Sequence, residues 1–231
     1  MDNDAQRIYD EQVRPELFGY VGSDNQRSGP LTACVVFGPT GSGKQNVGMR
    51  ATQLLQSQSL ATVTIRHSSL LAHHPGADSA DQGNVDRDIN AWRDSAIAEA
   101  AQRGLGVVVE APLKSEHEAQ ALLDSLHRQG YRSIAFAVCA AASNSEQCTH
   151  PQRQERAQSS QSELPWIAEA VENHPSVVRM SLVDRHCRSL RSTGSITESV
   201  EQAQALLARE DRCMTPVSRS SSTSSRSSPR R

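Results

Sequence analysis

Two rhythms of apolar residues alternate along this chain. Short, almost unbroken apolar runs occur at 32–37, 61–65, 106–110, 133–139 and 177–183. Gly106-Val107-Val108-Val109-Glu110 and Ile134-Ala135-Phe136-Ala137-Val138 are the clearest. Runs of this kind fit strands covered on both faces, as in a parallel sheet. Between them the period lengthens to that of a helix. Val85, Ile89, Trp92, Ala96 and Ala100 share one face of a helix over about 85–103. Ser115-x-x-Glu118 is a capping box in front of Ala119, Leu122, Leu123 and Leu126, and Gly130 stops that helix. Ser195-x-x-Glu198 repeats the signature before Val200, Ala203, Leu206 and Leu207. Ile8, Val13 and Leu17 predict a helix over 4–20, broken or bent near Pro15. Residues 21–30 read as a loop. Strand–helix alternation of this kind predicts an α/β fold: a doubly wound three-layer sandwich around a five-stranded, mostly parallel sheet.

The first strand runs straight into Gly38-Pro39-Thr40-Gly41-Ser42-Gly43-Lys44-Gln45. An apolar strand, a glycine-rich turn and a lysine opening an amphipathic helix make a P-loop, which cradles the phosphates of a nucleoside triphosphate. The N–H groups of Gly41, Ser42, Gly43 and Lys44 are expected to point inward as an anion nest. The helix beginning near Lys44 adds its positive end. Val47, Ala51, Leu54 and Leu55 are expected on the buried face of that helix. Working P-loops follow the lysine with Ser or Thr, whose hydroxyl ligates Mg²⁺. Gln45 stands there instead. Its side chain is longer and a poor steric replacement. Phosphate binding is therefore expected with ATP or GTP, and Mg²⁺ enters as a cofactor only with its usual ligand missing.

Composition narrows the reading further. A length of 231 residues suffices for one α/β domain with a real core. The formal net charge of −2 gives no global basic field to attract nucleic acid. No apolar stretch is long enough to span a membrane, and the acidic start Met1-Asp2-Asn3-Asp4 shows no secretory signal. The five cysteines (34, 139, 148, 187 and 213) are scattered, with no C-x-x-C pair. That suggests neither a disulfide framework nor a zinc site, and a cytoplasmic location is the simple expectation. A protein exported by a specialised secretion system has the same appearance. From Ser218 the chain holds only Ser, Thr, Pro and Arg. Such a segment cannot offset its own ordering entropy. The expected organisation is a domain over 1–213 and a disordered tail over 214–231.

Several landmarks occur in order along the chain: Ile8 to Phe18, the loop at 38–44, His74-Pro75, Val108-Val109-Glu110-Ala111-Pro112-Leu113-Lys114, and Gly130-Tyr131-Arg132-Ser133-Ile134. Together they resemble the zeta toxins, P-loop kinases of bacterial toxin–antitoxin systems, over about residues 6–210. The resemblance implies transfer of a phosphoryl group from ATP or GTP to a small-molecule hydroxyl, typically on UDP-N-acetylglucosamine. It implies a nucleotide-sugar acceptor and an antitoxin protein as partners. By the same resemblance Lys44 holds phosphates and acts in catalysis, and Glu110 binds the acceptor. Lys114 stands where the family has arginine, keeping the charge but losing the bidentate fork. Arg153 and Arg156 are alternatives for the cation on the γ-phosphate.

The chain also departs from that pattern. Where the family's second strand ends I-D-x-D, this chain reads Ile65-Arg66-His67-Ser68. One of the lost aspartates is the family's catalytic base, and Arg66 cannot accept a proton. Pro112 replaces a threonine of the family's E-G-T. These losses define an alternative: a catalytically impaired nucleotide-binding or protein-interaction module built on the same fold. His67 is a weaker candidate base, since a loop histidine is more often exposed or hydrogen-bonded. His73 and His74 read as structural. Asp78, Asp81, Asp86 and Asp88 read as helix-capping acids. Arg14 and Glu16 read as solvated helix charges. Asp184, after the last strand, is a late and unconvincing metal-binding acid.

Overall fold

The computed structural model describes residues 3–21, 30–77, 82–140, 151–190 and 196–214, with the backbone alone along 151–161, at 197 and along 208–214. Five strands were expected, and five lie among the described residues: β1 (Thr32–Phe37), β2 (Thr62–Arg66), β3 (Gly106–Ala111), β4 (Arg132–Val138) and β5 (Val177–Val183). All neighbours pair in parallel, in the order β2-β3-β1-β4-β5. The chain steps outward from β1 to β2, returns through β3 and crosses to β4. The reversal leaves a crevice at the carboxyl ends of the central strands, where open α/β sheets bind ligands.

Eight α-helices lie among the described residues. α1 (Asn3–Ile8) and α2 (Arg14–Phe18) flank a π-helical turn over Tyr9–Val13. The turn sits directly before Pro15, where a regular helix would clash with a carbonyl one turn back. The bend expected near Pro15 therefore takes the form of a π-turn. Trp92, fully buried, donates its indole N–H to the Ala5 carbonyl at 3.0 Å and ties this segment to the domain. α3 (Lys44–Ser57), α4 (His67–His73), α5 (Gln82–Gln102), α6 (Glu116–Arg128), α7 (Pro151–Glu172) and α8 (Ile196–Met214) complete the set. Ser115 caps α6 by accepting from the Glu118 N–H at 3.2 Å, and Gly130 closes it at φ +81°. The second capping box begins at Ser195, outside the described residues. So do the 22–29 loop, Asp78, Asp81 and the tail from 215.

Alternation along the strands divides the core into two layers. Val35 and Phe37 of β1, Val107 and Val109 of β3, and Ile65 of β2 face a large apolar layer that includes α5, α6 and α7. Cys34 and Val36 of β1 and Val108 of β3 face the other side, where Val47, Ala51 and Leu55 of α3 cover them. Leu54 was expected on that covered face but is 39% exposed. The parity has a direct consequence. Glu110, two residues beyond Val108, points to the α3 side, and so does Arg66, two beyond Thr64. Thr64 meets Thr52 of α3 at 3.0 Å, which fixes that orientation.

Candidate nucleotide-binding site

The loop between β1 and α3 is built to present donors. Gly43 adopts φ +92°, a left-handed conformation that side-chain-bearing residues rarely adopt. A Cβ there would also lie 2.7 Å from the Cβ of Arg185, because the segment after β5 lies against the loop. Among the described residues, the N–H groups of Gly41, Gly43, Lys44 and Gln45 take no acceptor, as expected at a helix start. Ser42 departs from the expected nest: its N–H donates to Pro39 O at 3.2 Å. Its hydroxyl is fully buried with no hydrogen-bond partner among the described residues. Unspent donors and the positive end of a fourteen-residue helix converge here.

Lys44 folds back over the loop. Its Nζ donates to Gly38 O at 2.8 Å and Pro39 O at 2.7 Å. Burial pushes its pKa down to about 8, and the nearby Glu110 carboxylate opposes that fall. An ammonium held only by two neutral carbonyls is available for exchange onto a phosphate. Gln45 is exposed on the first turn of α3.

Glu110 is the penultimate residue of β3 and is only 7% exposed. It pairs in register with Val36 of β1 on one side and Arg66 of β2 on the other. Arg66 donates through Nε to Glu110 Oε1 at 3.1 Å. Burial raises the Glu110 pKa above its ordinary value; the charge of Arg66, its hydrogen bond and the charge of Lys44 oppose the rise. So the residue at the expected base position is a cation, and it is the partner of the expected acceptor-binding acid.

His67 opens α4 rather than lying in a loop. Burial pushes its pKa down to about 4; Asp86 opposes that, and Lys114, Arg93 and Lys44 reinforce it. His67 and Glu110 bound a cavity of about 10 Å³ together with Asn90 and Arg93. That volume sits at the lower edge of what holds one water and excludes a sugar. Lys114 is paired with Asp86 Oδ2 at 2.5 Å. Lys44, Glu110 and Lys114 thus gather at one end of the sheet. Arg153 and Arg156 lie on α7, and their side chains are outside the described residues.

The remaining candidates resolve into structural roles. His73 bonds Glu16 at 2.6 Å, and Arg14 bonds Glu99 at 2.8 Å, so Arg14 and Glu16 are tethers between elements rather than purely solvated charges. His74 accepts from the Gly76 N–H at 3.0 Å. Asp184, 1% exposed, accepts from the N–H groups of His186 at 2.9 Å and Arg188 at 2.8 Å. Burial works against its charge, but the Arg188 and His186 donors outweigh it and hold its carboxyl below the usual range. Asp184 therefore shapes the turn against the P-loop. A groove of about 620 Å³ between α6 and α7 contains none of the residues marked in the sequence. Its Glu116, Asp124 and Glu169 make it unsuitable for phosphate.

Sequence reasoning missed two residues. Arg66 was visible only as a lost base, because its partner lies 44 positions away. Gly48, one turn beyond Lys44, was not singled out. A glycine inside a helix costs about 1 kcal/mol relative to alanine, and that cost was its signal.

The sheet order and the loop define the class of protein: a P-loop α/β protein of kinase-like architecture. The zeta toxin family model matches residues 22–213, and the chain belongs to that family. A solved structure from the PezAT chromosomal toxin–antitoxin system of Streptococcus pneumoniae shares the fold, with 13% identity and TM-score 0.64 over 92% of this chain and 95% of that one. A putative kinase from Chloroflexus aurantiacus is a weaker likeness, at 14% identity and TM-score 0.47 over 79% of this chain and 98% of its own. Shikimate kinase from Acinetobacter baumannii is weaker still, at 13% identity and TM-score 0.39 over 78% and 94%. No curated protein sequence matches the chain. Among the described residues no helix is long and apolar enough to cross a membrane.

Proposed function

We propose that this chain binds a nucleoside triphosphate, ATP or GTP, at Gly38–Gln45, and that its phosphoryl-transfer chemistry is impaired. Binding is supported by four unspent loop N–H groups, the Lys44 ammonium and membership of the zeta toxin family. Impairment rests on one observation above the others, the Arg66–Glu110 ion pair. A base must reach the acceptor hydroxyl and take its proton. The guanidinium at that position has no basic lone pair to offer. It also occupies the carboxylate that the family resemblance gives to the acceptor.

An active kinase is the second reading, and His67 favours it. Its imidazole is neutral at pH 7 and borders the same cavity as Glu110. In that reading Glu110 and Lys114 hold a UDP-N-acetylglucosamine-like acceptor, and Arg153 or Arg156 faces the γ-phosphate. On either reading the folded unit is 1–213 with a tail over 214–231, the partner is an antitoxin protein, and the location is cytoplasmic.

The test combines ATP and GTP binding with a transfer assay on UDP-N-acetylglucosamine. The proposal expects nucleotide binding that Lys44→Ala abolishes, and transfer at background. Transfer that Glu110→Ala or His67→Ala removes would establish the second reading instead.

A further inference from the structure

We infer that the chain holds its nucleotide without a divalent metal ion, with the Arg66 guanidinium supplying the charge that Mg²⁺ supplies in other P-loop sites. The inference rests on the nucleotide-binding reading above. A P-loop site offers Mg²⁺ a hydroxyl after the lysine and a nearby acid. Here the first is Gln45, which is exposed on α3. The nearby acid on the P-loop side is Glu110, buried and paired with a cation. Mg²⁺ demands close octahedral oxygen ligation and is repelled by a fixed positive group. The donor set does not fit the ion.

Arg66 is placed to take its role. Val36, Glu110 and Arg66 form one row across β1, β3 and β2. Neighbouring strands lie about 4.8 Å apart, so Arg66 sits about 10 Å from the strand that feeds the loop. That distance is within reach of an arginine side chain and a triphosphate together. The parity places it on the α3 face beside Glu110, and the charge of Glu110 in turn acts on Lys44. The bond to Glu110 uses Nε; among the described residues the terminal nitrogens take no protein acceptor. A guanidinium oriented through one edge keeps a fork of donors for phosphate oxygens. The cations around His67 are already engaged, Arg93 with Asn90 and Asp94, and Lys114 with Asp86.

Charge balance agrees. Lys44, Arg66 and Glu110 sum to one positive charge with no ion bound. An acid at position 66, which the family pattern leads one to expect, leaves the same trio one unit negative. The difference of two units is the charge of Mg²⁺. Gly48 shows that the pair is built into the helix opposite. A Cβ there would lie 2.0 Å from Glu110 Oε1.

The test is calorimetric titration of ATP into the full-length chain, in EDTA and again in excess MgCl₂. The expected result is binding in EDTA within a few-fold of that in Mg²⁺. Arg66→Ala should then weaken EDTA binding about tenfold or more, as loss of a charge-assisted phosphate contact does. Arg66→Ala also strands Glu110, so Arg66→Ala with Glu110→Gln is the second variant; it should show the same loss while remaining folded by thermal melt. Binding that requires Mg²⁺ overturns the metal-free inference and leaves the nucleotide-binding reading standing. Full affinity in the double variant overturns the role of Arg66. No binding in either buffer overturns the inference and the underlying reading together.

Discussion

Gly48 and Glu110 occupy one space: the glycine of α3 leaves the room that the β3 carboxylate fills. An added Cβ would lie 2.0 Å from Oε1 and 2.6 Å from Cδ. The glycine therefore sets the orientation in which Glu110 meets Arg66. Gly48→Ala gains about 1 kcal/mol of helix propensity but forces a buried carboxylate out of its place. The expected net effect is a loss of about 1–3 kcal/mol, the usual range for overpacking. In Gly48→Ala with Glu110→Ala the clash is gone, and the coupling measured by a double-mutant denaturation cycle should exceed about 1 kcal/mol. Simple additivity would show that the two residues do not share this space.

Nucleotide affinity should fall as pH rises past about 8, the pKa to which burial lowers Lys44. Phosphate favours the charged ammonium, so the bound form holds its proton to higher pH than the free form. Between the two values each pH unit should cost up to about tenfold in affinity. Titration of ATP from pH 7 to pH 10 checks this. A flat profile would mean that Lys44 does not contact the phosphates.

Restoring the expected donors should restore chemistry. Arg66→Asp supplies an acid beside Glu110, and Gln45→Thr supplies the hydroxyl that ligates Mg²⁺. Together they should raise transfer to UDP-N-acetylglucosamine about tenfold or more above the wild-type background, a modest part of what a positioned base contributes. A radiochemical transfer assay in Mg²⁺ reads it. If transfer stays flat, the pair at 66 and 110 is not what blocks the chemistry.

Asp184 holds the turn that lies against Gly43. Removing it strands the N–H groups of His186 and Arg188. Asp184→Ala should cost about 2–3 kcal/mol at pH 7 by urea denaturation. The folded-state pKa is depressed, so the charged carboxylate stabilises the fold above the unfolded pKa. That contribution is lost as pH falls through the folded value. The gap between wild type and variant should therefore shrink in acid, and a constant gap would rule out the ionic part of this role.

The fold was legible because its signals are local. The run at 32–37 became β1 and the run at 177–183 became β5, with the bounds read from the sequence. Ser115 capped α6 as its capping box announced. Even there the reciprocal half shifted by one residue: Glu118 accepts from the Lys114 N–H at 2.8 Å rather than from Ser115. The P-loop was legible for the same reason, being one continuous segment. The Arg66–Glu110 pair was not, because it depends on which strands are neighbours, in what register, and on which face each residue falls. Arg66 alone reads as a missing base. Arg66 beside Glu110 in the sheet reads as a replacement charge.

The most direct measurement of the central claim follows one label. The full-length chain is incubated with γ-labelled ATP and UDP-N-acetylglucosamine, retained on a filter, and the retained and free label are separated by chromatography. The wild type should retain label as intact ATP, Lys44→Ala should lose it, and no labelled sugar should form. Label on the sugar would contradict the claim by showing a working kinase, and no retained label would contradict it by showing that the loop holds no nucleotide.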